Sequence, residues 1–235
     1  MAKNFLLLMM GGSGTRFGAD IPKQFIEVNG KPVFSYVVEK YASLGVIDAA
    51  VCVCHSSWIG FTEDCLDGRD YQFPIRVVEG GSTRSESVKN GLTAVKEFAG
   101  DGDVVLIHDA THPYVDEENL SKVIYATKKN GGATLGARQY DTVYGVNTET
   151  GALEQVIPRD TVVTGASPEA FLFGEIARVY RETSLEELEK FTSAGALALA
   201  NGIPMEVVPT NLINLKITYR NDMDIFKRLF YGYYF

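Results

Sequence analysis

The sequence predicts an α/β fold: a Rossmann-like, mainly parallel sheet with helices on both faces. Three observations carry this. Short apolar runs of strand length alternate with stretches in which apolar residues recur at helical spacing. A glycine-rich turn, GGSGTRFG, follows the first apolar run directly. The alternation breaks once, at about residues 138–160, where strand-like segments follow one another as a protruding β-hairpin would.

The run FLLLMM is the first buried strand. PVFSYVVEKYASLG is a helix opened by Pro32 and closed by Gly45. AAVCVCH and FPIRVVEG are the second and third strands. In TRSESVKNGLTAVKEFAG, Val88, Leu92, Val95 and Phe98 share one helical face, and Gly100 is the stop. DVVLIHDA is a fourth strand with a polar end. EENLSKVIYATKKNGG starts with acids and ends with Lys128 and Lys129, the order a helix dipole favours. ATLGARQYDTVYGV and GALEQVIPRDTVVTG read as strands about a polar turn at Asn147–Gly151, an arm suited to reaching across a homodimer. PEAFLFGEIARVYRE and LEELEKFTSAGALALANG return to helix, PMEVVP and INLKIT to strand, and a last helix starts near Asn221. With no linker, repeat or low-complexity stretch, one domain spanning residues 1–235 is expected.

A chain of 235 residues with 46% hydrophobic and 22% charged residues can bury a sizeable core. Its net charge of -8 argues against a broad nucleic-acid surface or an anionic-membrane binder, yet leaves room for a cationic pocket that takes a small anion. FLLLMM is too short to span a bilayer and lacks the flanks of a signal peptide, so the cytoplasm is the expected address. Cys52 and Cys54 share one strand face, and without a second cysteine pair they read as buried thiols, not a zinc site.

A glycine-rich turn costs backbone entropy, which a closely approaching phosphate would offset. Two familiar phosphate loops fail. A dinucleotide fingerprint through Gly12 and Gly14 would need a third glycine where Phe17 stands, and no acid ends the second strand. That disfavours a nicotinamide-linked oxidoreductase. A Walker A loop is excluded because the Gly30-Lys31 pair continues with Pro32.

What remains is GGSGTRFG followed by PKQF. Together with EGGSTRSESVKNGL, HDATHPYV, DTVYG…IPRDTVVTGASPEAF and NLKITYRNDMDI it makes an ordered set spanning nearly the whole chain. This set resembles the family of methylerythritol-phosphate and ribitol-5-phosphate cytidylyltransferases. The resemblance implies that CMP passes from CTP to a polyol phosphate with loss of pyrophosphate. Such a reaction asks the protein to position groups and stabilise anions; the nucleophile is already an anionic phosphate, so no general base is needed.

On that resemblance, Gly11, Gly12, Ser13, Gly14 and Thr15 line the triphosphate, Arg16 forks onto the leaving phosphates and Lys23 faces the α-phosphate. Gly81, Ser82 and Ser87 contact cytosine and ribose, and Arg84 braces their loop. Asp109, just past a strand end, sits beside a triphosphate only if a cation bridges them, which implies Mg²⁺. Lys216 is a third phosphate-facing cation. His112, Thr142 and Arg159 match acceptor-side positions, the latter two on the arm that serves the partner subunit. His112 stands where the family has arginine, and it would hold the acceptor phosphate best as a cation, below about pH 6.5. Glu169 and Ser193 also depart from the family pattern on the acceptor side. CHSSWIGFTEDCL and NLKIT resemble the ribitol-phosphate branch, which makes D-ribitol 5-phosphate the expected acceptor. 2-C-methyl-D-erythritol 4-phosphate is the alternative. The alternative of another class is a CTP-binding regulatory protein without catalysis.

Overall fold

In the computed structural model the described residues are 2–12, 17–18 and 21–234. The strands are β1 (Asn4–Met9), β2 (Glu27–Val28), β3 (Lys31–Pro32), β4 (Ala49–Cys54), β5 (Ile75–Glu79), β6 (Val104–Asp109), β7 (Gly132–Arg138), β8 (Val143–Val146), β9 (Leu153–Ile157), β10 (Val163–Leu172) and β11 (Met205–Thr210). The helices are α1 (Val33–Leu44), α2 (Ile59–Leu66), α3 (Arg84–Val95), α4 (Glu117–Asn130), α5 (Phe173–Glu182), α6 (Leu185–Leu188), α7 (Ala194–Ala200) and α8 (Arg220–Tyr234). Seven strands make one sheet in the order β11-β7-β10-β6-β1-β4-β5. All its pairings are parallel except those of β10, which runs antiparallel between β6 and β7.

The pleat of β1 sorts the core into two layers. Leu6 and Leu8 enter one layer with Phe34, Val38 and Tyr41 of α1 and Val123 of α4. Phe5, Leu7 and Met9 enter the other with Val88 and Leu92 of α3 and Ile176 of α5. Cys52 and Cys54 are buried in the first layer, where burial pushes the Cys52 thiol up to about 12. A third cluster seats Phe226 and Phe230 of α8 on Val33 and Tyr36 of α1. Helices therefore cover both faces of a mainly parallel sheet, as the alternation predicts.

One contact sets how closely α3 lies on the sheet. A Cβ on Gly91 would come within 2.4 Å of Leu7 Cδ1 and 2.8 Å of Val53 Cγ2. Mid-helix Gly→Ala ordinarily adds about 1 kcal/mol of helix propensity, but overpacking a core costs about 1–3 kcal/mol. Gly91→Ala is expected to lower the melting temperature by several degrees, measurable by circular dichroism; an unchanged or higher value would mean that α3 can lift from β1 without cost.

Two expectations need correction. PEAFL, read as the start of a helix, is the end of β10: Glu169 to Leu172 pair with Ile107 to Val104. The long-range ladder wins over local helical spacing, and α5 starts at Phe173. INLKIT, read as a strand, is irregular; Ile217 donates its N–H to the Thr111 carbonyl at 2.9 Å and buries its side chain beside α8. The arm region does contain an antiparallel hairpin, β8–β9, with Tyr144, Val146, Leu153 and Val156 exposed on it.

Candidate active site

Parallel strands deliver their carboxyl ends to one edge of the sheet, where open α/β sheets bind ligands. Here β1 leads into the glycine-rich turn, β5 into Gly80 and Gly81, and β6 into Asp109. Backbone bonds lace these ends together: Met10 N–H to Val53 O (2.8 Å), Gly80 N–H to Cys54 O (2.8 Å) and Ala110 N–H to Met9 O (3.0 Å). A cleft of about 380 Å³ opens between Gly11 and the Gly80–Ser82 turn, with His55 and Glu86 on its walls. Glycine lets Glu86 pack directly against this turn: a Cβ on Gly81 would lie 2.1 Å from Glu86 Cγ.

Asp109 is the electrostatic centre. Its Oδ1 accepts from Arg84 Nη2 at 3.1 Å and its Oδ2 from Lys216 Nζ at 2.6 Å. Burial works against ionisation, but Arg84 and Lys216 outweigh it and hold the Asp109 carboxyl well below the usual carboxylate range. The same pair joins three distant segments, since Arg84 opens α3 and Lys216 lies on the irregular stretch before α8. Arg84, which the resemblance gives a bracing role in its own loop, reaches across to Asp109.

The residues after Asp109 form a tight turn, His112 N–H donating to the Asp109 carbonyl at 2.9 Å. Buried His108 supports it. Nε2 of His108 donates to the His112 carbonyl at 2.8 Å, so Nδ1 accepts from the Tyr41 hydroxyl at 3.1 Å. The register of β10 shifts between Ala166 and Glu169, and Ser167 within that shift meets His112 Nδ1 at 2.6 Å. Burial pushes the His112 imidazole down to about 3; Asp109 opposes this, while His108, Lys216 and Lys23 add to it. In the free protein burial thus favours the neutral imidazole of His112, where the sequence reading expects a cation at the acceptor phosphate.

The chain is similar to known proteins over nearly its whole length. A family profile described as 2-C-methyl-D-erythritol 4-phosphate cytidylyltransferase (IspD) matches residues 5–229. The chain belongs to the IspD family. Among its relatives, a ribitol-5-phosphate cytidylyltransferase of Streptococcus agalactiae is 30% identical over 97% of this chain and 95% of that protein. A 2-C-methyl-D-erythritol 4-phosphate cytidylyltransferase of Petrotoga mobilis is 29% identical over 96% of this chain and 97% of that one. The solved 4-diphosphocytidyl-2C-methyl-D-erythritol synthase of Anaerococcus prevotii superposes with a TM-score of 0.79 at 25% identity, covering 98% and 99% of the two chains. The IspD-family chain is thus an enzyme of the nucleotidyltransferase class, and its fold is that of its relatives.

Within this IspD-family framework the predicted residues fall in different places. Gly11, Gly12, Gly81, Ser82, Asp109 and Lys216 gather at the strand ends, and the charge of Lys23 reaches His112. Ser13, Gly14, Thr15 and Arg16 lie outside the described residues. Thr142 and Arg159 are exposed in the arm region, where Arg159 Nη1 donates to the Tyr140 carbonyl at 2.6 Å. Ser87, expected to meet the nucleoside, is 3% exposed and accepts from Gly81 N–H at 3.0 Å while donating to Thr83 O at 2.8 Å. It braces the turn. Glu169 accepts from Gly195 N–H at 3.0 Å and Ser193 caps the same helix, so both departures from the family pattern have roles at the start of α7.

Two residues were passed over in the sequence. Glu86 binds both the N–H and the hydroxyl of Ser82 through Oε2, at 2.7 and 2.8 Å, fixing one wall of the cleft. The signal was the T-x-x-E spacing of Thr83 and Glu86, a helix-start pattern. The other is Gln24, within PKQF, whose amide faces the backbone of the glycine-rich turn.

Proposed function

We propose that this chain transfers CMP from CTP to D-ribitol 5-phosphate, forming CDP-ribitol and pyrophosphate. The observation that carries nucleotidyl transfer is Asp109, held ionised between Arg84 and Lys216 beside a glycine-walled cleft. A phosphate oxygen of the acceptor attacks the α-phosphorus of CTP; the new P–O bond replaces the one to the β-phosphate, and pyrophosphate carries the charge away. Lys23 and Arg16 stabilise the charge that builds on the phosphate oxygens, and Lys216 swings from Asp109 onto phosphate as the substrate enters. Mg²⁺ fits the donor set, because it binds through one or two carboxylates plus substrate phosphates, and Asp109 offers one such carboxylate. Among the described residues no group of three or more His, Cys, Asp or Glu could hold a metal by itself. When bound, the ion neutralises triphosphate charge.

The ribitol assignment is supported by the resemblance of CHSSWIGFTEDCL and NLKIT to that branch and by the S. agalactiae relative. Pyrophosphate release with CTP, tried against D-ribitol 5-phosphate and 2-C-methyl-D-erythritol 4-phosphate, tests it. Turnover with the first alone is expected. Turnover with the second alone overturns the acceptor but keeps cytidylyl transfer, and release with neither returns the chain to nucleotide binding without catalysis.

The active unit is a homodimer in which the arm, with its exposed Tyr144, Val146, Leu153 and Val156, lies against the partner and brings Thr142 and Arg159 to the partner's acceptor site. Arg159→Ala and Lys23→Ala, each inactive alone, should regain up to about a quarter of wild-type activity when subunits exchange, since mixed dimers rebuild one intact site. A subunit-exchanged mixture that stays dead would count against a shared site.

A further inference from the structure

Gln24 is 2% exposed, yet its side chain is polar. Its single amide nitrogen Nε2 donates to the carbonyls of Met10 and Gly12, the latter at 3.0 Å. These carbonyls flank the entry to the glycine-rich turn. Two acceptors facing one atom demand two hydrogens on that atom; among neutral side chains only an amide supplies them. A carboxylate would repel both carbonyls, and an apolar chain would deprive the buried Met10 carbonyl of this donor. Flipping the amide would set its oxygen against two oxygens, which fixes the orientation as well.

We infer that Gln24 is a positioning residue that sets the Met10–Gly12 backbone, at the entry to the glycine-rich segment, for the triphosphate, a role that rests on the proposed cytidylyl transfer. In a trans peptide the N–H lies opposite the C=O. Drawing the Met10 carbonyl toward Gln24 therefore turns the Gly11 N–H away from it, and the Gly12 carbonyl is held by the same nitrogen. Gln24 also sits in the short helical turn Lys23–Phe25, so the residue that grips the glycine-rich turn is covalently next to Lys23. Phe25 anchors that turn from behind, stacked on Trp58 with ring centroids 4.4 Å apart and planes 7° apart. One side chain thus keeps the backbone donors and the lysine in register.

The test compares wild type, Gln24→Met, which keeps the volume but has no donor, and Gln24→Glu, which donates only when protonated. CTP affinity by calorimetry and steady-state kinetics by pyrophosphate release are measured at pH 6 and 8.5, with folding checked by circular dichroism at each pH. Gln24→Met is expected to weaken CTP binding about tenfold and lower kcat a further ten- to hundredfold, with the acceptor KM unchanged. Gln24→Glu should be as impaired at pH 8.5 but regain at least fivefold relative to wild type at pH 6. A role in stability alone would not split CTP from acceptor parameters in folded protein. Folded variants that bind and turn over CTP within twofold of wild type overturn the inference. Wild type that binds CTP without releasing pyrophosphate overturns the catalytic reading instead, and Gln24 is then judged on affinity alone; wild type that binds no CTP overturns both.

Discussion

Lys23→Ala is expected to lose about 10²–10³-fold in turnover while keeping the wild-type circular dichroism spectrum, because one oriented donor to developing charge is worth about 3 kcal/mol. The lysine opens the short turn Lys23–Phe25 just beyond the glycine-rich segment, and its charge adds to those that push the His112 imidazole down. In the proposed reaction its ammonium follows charge as it moves from the α-phosphate to the departing pyrophosphate. Arg16→Ala should lose a similar factor on the leaving-group side. Lys23→Arg should recover only part of the rate, since a planar fork cannot replace a compact point charge at the same depth. Pyrophosphate release at saturating CTP measures all three. Near wild-type turnover in both alanine variants would remove the proposed phosphate site.

Much of this site is legible in the chain because its residues stand where periodicity changes. Asp109 ends an apolar run, and a carboxylate at the end of a buried parallel strand has nowhere to point but the ligand edge. Lys216 is different. Its segment reads as a strand by composition, but its backbone N–H at Ile217 is taken by Thr111 and its apolar residues are taken by α8, so the lysine arrives on a loop. Local pattern carries no information about that competition. The same holds for β10: PEAFL has helical spacing, and only the ladder to β6 makes it a strand. The small hairpin β2–β3 does have a local signal: Asn29-Gly30, with φ of 54° and 77°, is the pair that a tight hairpin turn prefers. Lys31 beside it, considered for a phosphate loop, is bound to Glu39 at 2.9 Å instead. The charge state of His112 in the free protein is not legible in HDATHP, because it depends on burial that the turn at Asp109 and the register shift in β10 jointly create.

That burial predicts steep acid destabilisation of the free protein. His108 is held neutral in the fold, its imidazole pushed down to about 4 by burial against weaker opposing pulls from its bond to the His112 carbonyl and from Asp109. His112 is pushed down to about 3. In the unfolded chain both bind a proton near pH 6.5. Between about 6.5 and 4 the unfolded state thus carries protons that the folded state refuses, so stability rises with pH in this window and falls as acid is added. Each histidine contributes a slope approaching about 1.4 kcal/mol per pH unit there. Asp109 acts lower: its depressed carboxyl stabilises the fold above its unfolded value of about 3.9, and that contribution is lost only as pH falls below it. Urea unfolding in EDTA without nucleotide, from pH 8 to 4.5, should show a plateau and then a decline beginning near 6.5. His108→Gln separates the sources, since a glutamine can still donate to the His112 carbonyl and accept from the Tyr41 hydroxyl but cannot titrate. Its stability should fall less steeply over the window by the slope of one proton, even if it starts lower at pH 8. Parallel declines in wild type and His108→Gln would mean that His108 takes up its proton in the folded state, and that the buried chain from Tyr41 to His112 opens to water before the protein unfolds.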